Sequence, residues 1–135
     1  MFTKVHHVTH VVESVQEMEK FLEINFNMKP IKTGEFPHRH FKYIMYRVGH
    51  TLMDFLEPTS DAASMAKFLK ENGPGVYHVA WEVKGIDRVY QALKGRGYKL
   101  REDKASTSPY GYKAFNIEPN NTQGVLFQLA EGELT

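Results

Sequence analysis

Three histidines crowd the stretch "KVHHVTHVV", residues 4 to 12, at positions 6, 7 and 10. A fourth, His78, sits in the similar stretch "GVYHVAWEV". Histidine is the commonest side-chain metal ligand and the usual acid or base near neutral pH. Two further histidines, His38 and His40, flank Arg39 in "GEFPHRHF", with Glu35 close by. They lie two apart, so an extended chain would put both on one face, where either could move a proton. The chain has no cysteine. Disulfides, thiolate metal sites and cysteine nucleophiles are excluded. A metal would have to be held by nitrogen and oxygen, which suits Zn, Mn, Fe, Co or Ni.

Alternation along a strand sorts the first three histidines. His7, Thr9 and Val11 share one face; His6, Val8, His10 and Val12 share the other. In the second stretch His78, Ala80 and Glu82 share a face, opposite Tyr77, Val79, Trp81 and Val83. Laying one stretch over the other pairs His7 with His78 and His10 with Trp81. Trp81 belongs to a large apolar face that should pack under helices. His10 is therefore read as a packing residue, as is His6, and His7 as the ligand candidate.

The elements that must position these residues repeat. Residues 4–12 read as a strand. Ser14 stands where a helix cap would, followed by Val15, Met18, Phe21 and Leu22 at helical spacing. Strands are expected near 28–34, over 40–48 and over 52–58. The second half predicts a strand over 75–83 and a helix in "GIDRVYQALKGRGY". A short strand "YKLRE" and strands over 112–119 and 124–131 follow. Each half is βαβββ. A linking helix, 60–72, with Ser60 as cap joins modules 4–58 and 75–131. The fold class is α+β, one domain over 1–135, its two tandem modules forming a cupped, eight-stranded mixed sheet. Internal duplication brings equivalent positions of two halves to one pseudo-twofold site.

Composition excludes several classes. The 135 residues carry a formal charge of +1 with no basic block, so nucleic acid is not an expected partner. The first residues, "MFTKVHHVTH", lack a signal-peptide pattern. No stretch approaches the roughly 18 apolar residues of a membrane span. A cytoplasmic protein with a small-molecule partner and no membrane partner is expected.

The duplication and the stretches "DFLEPTSDAASMAKFLKENGPGVYHVAWEV" (54–83), "YGYKAFNIEPNNTQGVLFQL" (110–129) and "HHVTHVV" (6–12) resemble the vicinal oxygen chelate superfamily, which includes glyoxalases, bleomycin-resistance proteins and dioxygenases. Within it they are most similar to methylmalonyl-CoA epimerase-like proteins. The resemblance covers nearly the whole chain and is poor over 28–45. It implies a glyoxalase-like fold with a divalent metal (Zn, Co, Mn, Ni or Fe) held by His7, Asp54, His78 and Gln128. Asp54 stands in place of a longer Glu or Gln, and Gln128 in place of a Glu.

The implied chemistry is that of a metal-dependent isomerase, epimerase or lyase. It removes a proton beside a metal-bound carbonyl, with an acyl-CoA such as methylmalonyl-CoA as a substrate. The family places a basic Glu where this chain has Pro37 or His38, so Glu35 and His38 are the candidate catalytic groups. Thr9, His40, Tyr110 and Tyr112 are the candidate substrate contacts. Domains of this kind often pair, so a homodimer is an expectation. Two rivals follow from the same residues. Two histidines and a carboxylate suit a non-haem iron dioxygenase, and the absent glutamates suit a non-catalytic, resistance-type binding protein.

Overall fold

The computed structural model describes residues 1–135. Its order is β1 (Lys4–Val11), α1 (Val15–Phe26), β2 (Lys32–Phe36), β3 (Phe41–Val48), β4 (Thr51–Pro58) and α2 (Ala66–Asn72). It continues with β5 (Gly75–Glu82), α3 (Ile86–Gly95), β6 (Ser106–Thr107), β7 (Lys113–Ile117) and β8 (Phe127–Glu131). The two βαβββ runs are present, and parallel and antiparallel pairings mix among the eight strands, as expected. No helix is long and apolar enough to cross a membrane. The chain divides into two compact units, His7–Tyr77 and His78–Thr135, the latter also holding Met1–His6.

In the His7–Tyr77 unit, β1 runs parallel to β4, β4 antiparallel to β3, and β3 antiparallel to β2. Ser14 caps α1, its Oγ accepting from Glu17 N at 3.1 Å, and Asn27 ends it in the left-handed region (φ 53°). Val15 and Leu22 of α1 pack with Val12, Ile44, Tyr46 and Phe55 on one face of the strands. Registered neighbours share a face. The other face therefore carries His7, Thr9 and Val11 of β1 beside Leu52, Asp54 and Leu56 of β4, and Met45 and Tyr43 of β3 beyond them.

The His78–Thr135 unit repeats the plan. Here β5 runs parallel to β8, β8 antiparallel to β7, and β7 antiparallel to β6. Ile86 and Tyr90 of α3 pack with Val83, Phe115, Ile117 and Leu129, and Trp81 joins them. Ala80, Gln128 and Asn116 are in register on the opposite face, which by alternation is also that of His78. Trp81 thus packs under a helix, as the alternation predicts.

Several boundaries differ from expectation. β2 starts at Lys32 rather than near 28, because the chain turns out of α1 through Asn27 and Pro30. A 3₁₀ turn, Pro37–Arg39, and a left-handed His40 (φ 62°) delay β3 to Phe41. The linking helix is shorter than 60–72. Ser60 Oγ accepts from Ala62 N at 3.1 Å in a turn, and only Ala66–Asn72 is α-helical. "YKLRE" is not a strand. It touches β7 through one bridge, Leu100 to Ile117, and at the next step the Glu102 side chain, not a backbone carbonyl, takes the Asn116 amide. The two-residue β6 pairs with β7 instead. β8 begins at Phe127 rather than 124, after left-handed Gln123 and Gly124.

Candidate functional site

In the His7–Tyr77 unit, His7, Thr9 and Asp54 are each 2 % exposed, on the sheet face away from α1. A parallel register sets Thr9 beside Asp54, and Thr9 Oγ1 donates to Asp54 Oδ1 at 2.7 Å. Burial pushes the Asp54 carboxyl up to about 7; the Thr9 hydroxyl and Asp54's own backbone N–H act the other way. A carboxylate this deep is costly unless a cation or more donors meet it. Thr9, an expected substrate contact, uses its hydroxyl proton to orient Asp54.

His10 lies on the opposite face. Its ring stacks on Phe55 with centroids 4.5 Å apart, and Nδ1–H donates to Asp54 O at 3.0 Å. That is the packing role the alternation assigns it. Glu35 is exposed and pairs in register with Lys42, which puts it on the face of Ile44 and Phe55, opposite Asp54. His38 is exposed in the 3₁₀ turn, and His40, partly buried, closes that turn. The structure therefore brings Thr9 to Asp54, and sets Glu35 on the other pleat face from both.

In the His78–Thr135 unit the His78 ring nitrogens are buried. Burial, and then the charge of Arg101, push the ring down to about 4, while Gln128 favours the protonated form. A neutral imidazole is the form that ligates a metal. Gln128 Nε2 donates to Asn116 Oδ1 at 3.2 Å. Its Oε1 is buried and accepts no hydrogen bond, so the amide presents a buried oxygen to be satisfied.

Tyr110 and Tyr112, two of the expected substrate contacts, are both buried. Their rings stack at 6.0 Å, and Tyr112 meets His6 edge-on at 4.7 Å. His6 Nε2–H donates to Gly132 O at 2.8 Å, so His6 too packs.

Two groups escaped the sequence reading. Glu102 accepts from Asn116 N and Asn116 Nδ2, both at 2.7 Å, and Asn116 in turn meets Gln128. Only the β7–β8 register, which sets Asn116 opposite Gln128, could have drawn attention to Asn116, and nothing local pointed to Glu102.

No group of three His, Cys, Asp or Glu side chains, in either unit or in the chain as a whole, is placed to hold a metal ion. Each unit does offer one buried imidazole and one buried oxygen donor on the face its helix leaves open: His7 with Asp54, and His78 with Gln128. An imidazole nitrogen beside a side-chain oxygen is a donor pair that suits a borderline divalent cation.

The family model described as "Glyoxalase/Bleomycin resistance protein/Dioxygenase superfamily" matches residues 6–114. The chain is 27 % identical over 128 residues to the mitochondrial methylmalonyl-CoA epimerase of Bos taurus, covering 92 % of this chain and 73 % of that protein. A hypothetical protein of Bacillus halodurans shares the fold with a TM-score of 0.87 at 25 % identity, over 98 % of this chain and 96 % of that one. So does the methylmalonyl-CoA epimerase of Streptomyces coelicolor, solved with 2-nitronate-propionyl-CoA. It gives a TM-score of 0.88 at 20 % identity, over 98 % of this chain and 99 % of the other.

Proposed function

The chain belongs to the glyoxalase/bleomycin resistance protein/dioxygenase superfamily, and from that premise we propose that it is a metal-dependent acyl-CoA epimerase. His7, Asp54, His78 and Gln128 are its proposed metal ligands. The observation that carries the reading is the duplicated pair of donors. Each module sets one histidine and one oxygen side chain, their polar atoms buried, on the strand face away from its helix, at matching places in the repeat. The bovine and Streptomyces relatives supply the substrate class, an acyl-CoA such as methylmalonyl-CoA.

A bound divalent ion would hold the thioester oxygen and stabilise the negative charge that grows there when the adjacent proton leaves. The chain's own groups do the rest. The buried Asp54 carboxylate contributes the one negative charge of the ligand set, oriented by Thr9. His38, in the exposed turn before β3, is the proposed proton-transfer group, and His40 closes the same turn. Glu35 is the second proposed group, on the pleat face opposite Asp54.

The test is hydrogen exchange at the α-carbon of methylmalonyl-CoA in D₂O, followed by NMR with Co(II)-loaded protein. Exchange lost in His78→Ala and slowed by His38→Asn is the expected result. Stoichiometric metal with no exchange would leave the resistance-type binding protein as the better account. One observation favours that second reading: the exposed Glu35, facing away from Asp54, leaves the buried donors without an adjacent carboxylate base.

A further inference from the structure

We infer that Glu102, acting through Asn116, decides which atom of the Gln128 amide is offered to the metal; the inference rests on the metal-site reading above. A Gln side chain has one oxygen that can ligate and one NH₂ that cannot, and rotating the amide by half a turn exchanges them. What surrounds the amide must choose between them.

The choice begins at Glu102. Its carboxylate only accepts hydrogen bonds. Oε1 takes the Asn116 backbone N–H and Oε2 takes Asn116 Nδ2, both at 2.7 Å. With its NH₂ committed, Asn116 has only Oδ1 to turn to β8, where it accepts from Gln128 Nε2 at 3.2 Å. Gln128 Nε2 is thereby committed too, and Oε1 is left as the buried atom with no donor. An acceptor-only group at one end of a two-amide chain yields an acceptor at the other.

The loop that carries Glu102 is tied down through its backbone. Tyr90 OH donates to Glu102 O at 2.6 Å, and Tyr90 is 3 % exposed, its ring edge-on to Phe115 in the core under α3. Arg101 N donates to Asn116 O at 2.9 Å, which holds the loop along β7. Glu102 and Asn116 are positioning residues: they act on the metal only through Gln128. Partners of this kind typically change metal affinity by 10–100-fold.

Two readouts test this. The first is titration with Co(II) alone, followed by its visible absorption. Asn116→Leu keeps the size of the side chain but frees Gln128, and should weaken Co(II) binding at least about 10-fold with the far-UV circular dichroism unchanged. The double variant Glu102→Gln/Asn116→Asp reverses each partner while keeping both ends of the chain correct. Gln at 102 can donate to Asp at 116, and that Asp still accepts from Gln128. It should bind Co(II) like the wild type. Wild-type-like binding by Asn116→Leu, or equal loss in the double variant, overturns the inference.

The second readout is the Gln128 side-chain NH₂ pair in the metal-free protein, assigned by its absence in Gln128→Glu. Slow hydrogen exchange of that pair, lost in Asn116→Leu, supports the inference; fast exchange in the wild type overturns it. Failure of the wild type to bind Co(II) would instead sink the metal-site reading, and the NH₂ measurement would still decide the orientation.

Discussion

The start of α3 depends on a carboxylate from the far end of its own module, and removing it should be measurable. Gly85, at the cap position, has no side chain to offer and sits in the left-handed region (φ 72°). Glu131 on β8 supplies what is missing: Oε2 accepts from Gly85 N at 2.8 Å and Oε1 from Ile86 N at 2.9 Å. Loss of a helix cap costs about 1 kcal/mol, up to about 2. Two charge-assisted bonds at a helix N-terminus belong at the upper part of that range. Partial exposure of Glu131 lowers the charge contribution. Glu131→Ala should therefore cost about 1.5 kcal/mol. Glu131→Gln, which keeps one acceptor without the charge, should cost about half as much. At roughly 4 °C per kcal/mol for a chain of this size, the Ala variant should melt about 6 °C lower.

The pH dependence provides the sharper check. The backbone N–H groups of Ile86 and Gly85 hold Glu131 below its ordinary value of 4.5. A lowered carboxylate adds stability above the unfolded value and loses it as pH falls through the folded one. The gap between wild type and Glu131→Gln should be full at pH 7 and close below pH 4.5. Urea unfolding at pH 7 and pH 3, followed by circular dichroism, measures it. A gap independent of pH, or an Ala variant within about 0.5 kcal/mol of wild type, would refute the capping argument. The first module uses the same device more lightly: Glu57 Oε1 accepts from Val15 N at 3.0 Å, and Ser14 also caps α1. Glu57→Ala should cost less, about 0.5–1 kcal/mol in the same assay.

Thr9→Val removes the buried donor to Asp54 Oδ1 and should destabilise by about 1–3 kcal/mol in urea unfolding; the effect should shrink in an Asp54→Leu background, where no carboxylate is left to satisfy. His10→Phe keeps the stack on Phe55 and should leave metal content by elemental mass spectrometry unchanged, whereas His7→Ala should abolish it. At Gly34 an added Cβ would lie 3.0 Å from Tyr43 Oη, and Tyr43 is held in a stack with Phe36 at 5.0 Å. Gly34→Ala should therefore lower stability by about 1–3 kcal/mol in thermal melts.

The repeat, the order of its elements and the sorting of the histidines were legible along the chain. Alternation of side chains is a property of the extended backbone itself, so His7 and Thr9 part from His10, and His78 from Trp81, before any partner strand is known. Ser14 was equally legible, because a cap binds an amide three residues away. What spacing could not reveal were choices made between distant residues. Glu131 reaches an amide 46 residues away, and Glu102 takes the place of a backbone carbonyl opposite Asn116. The first shows why a helix can begin on a bare glycine; the second explains why "YKLRE" stops short of being a strand. Thr9 meets Asp54, and Asn116 meets Gln128, only because two registers align them. Local sequence determined which way each side chain points. Register and packing decided what it meets there, since a shift of one residue would turn every partner to the opposite face.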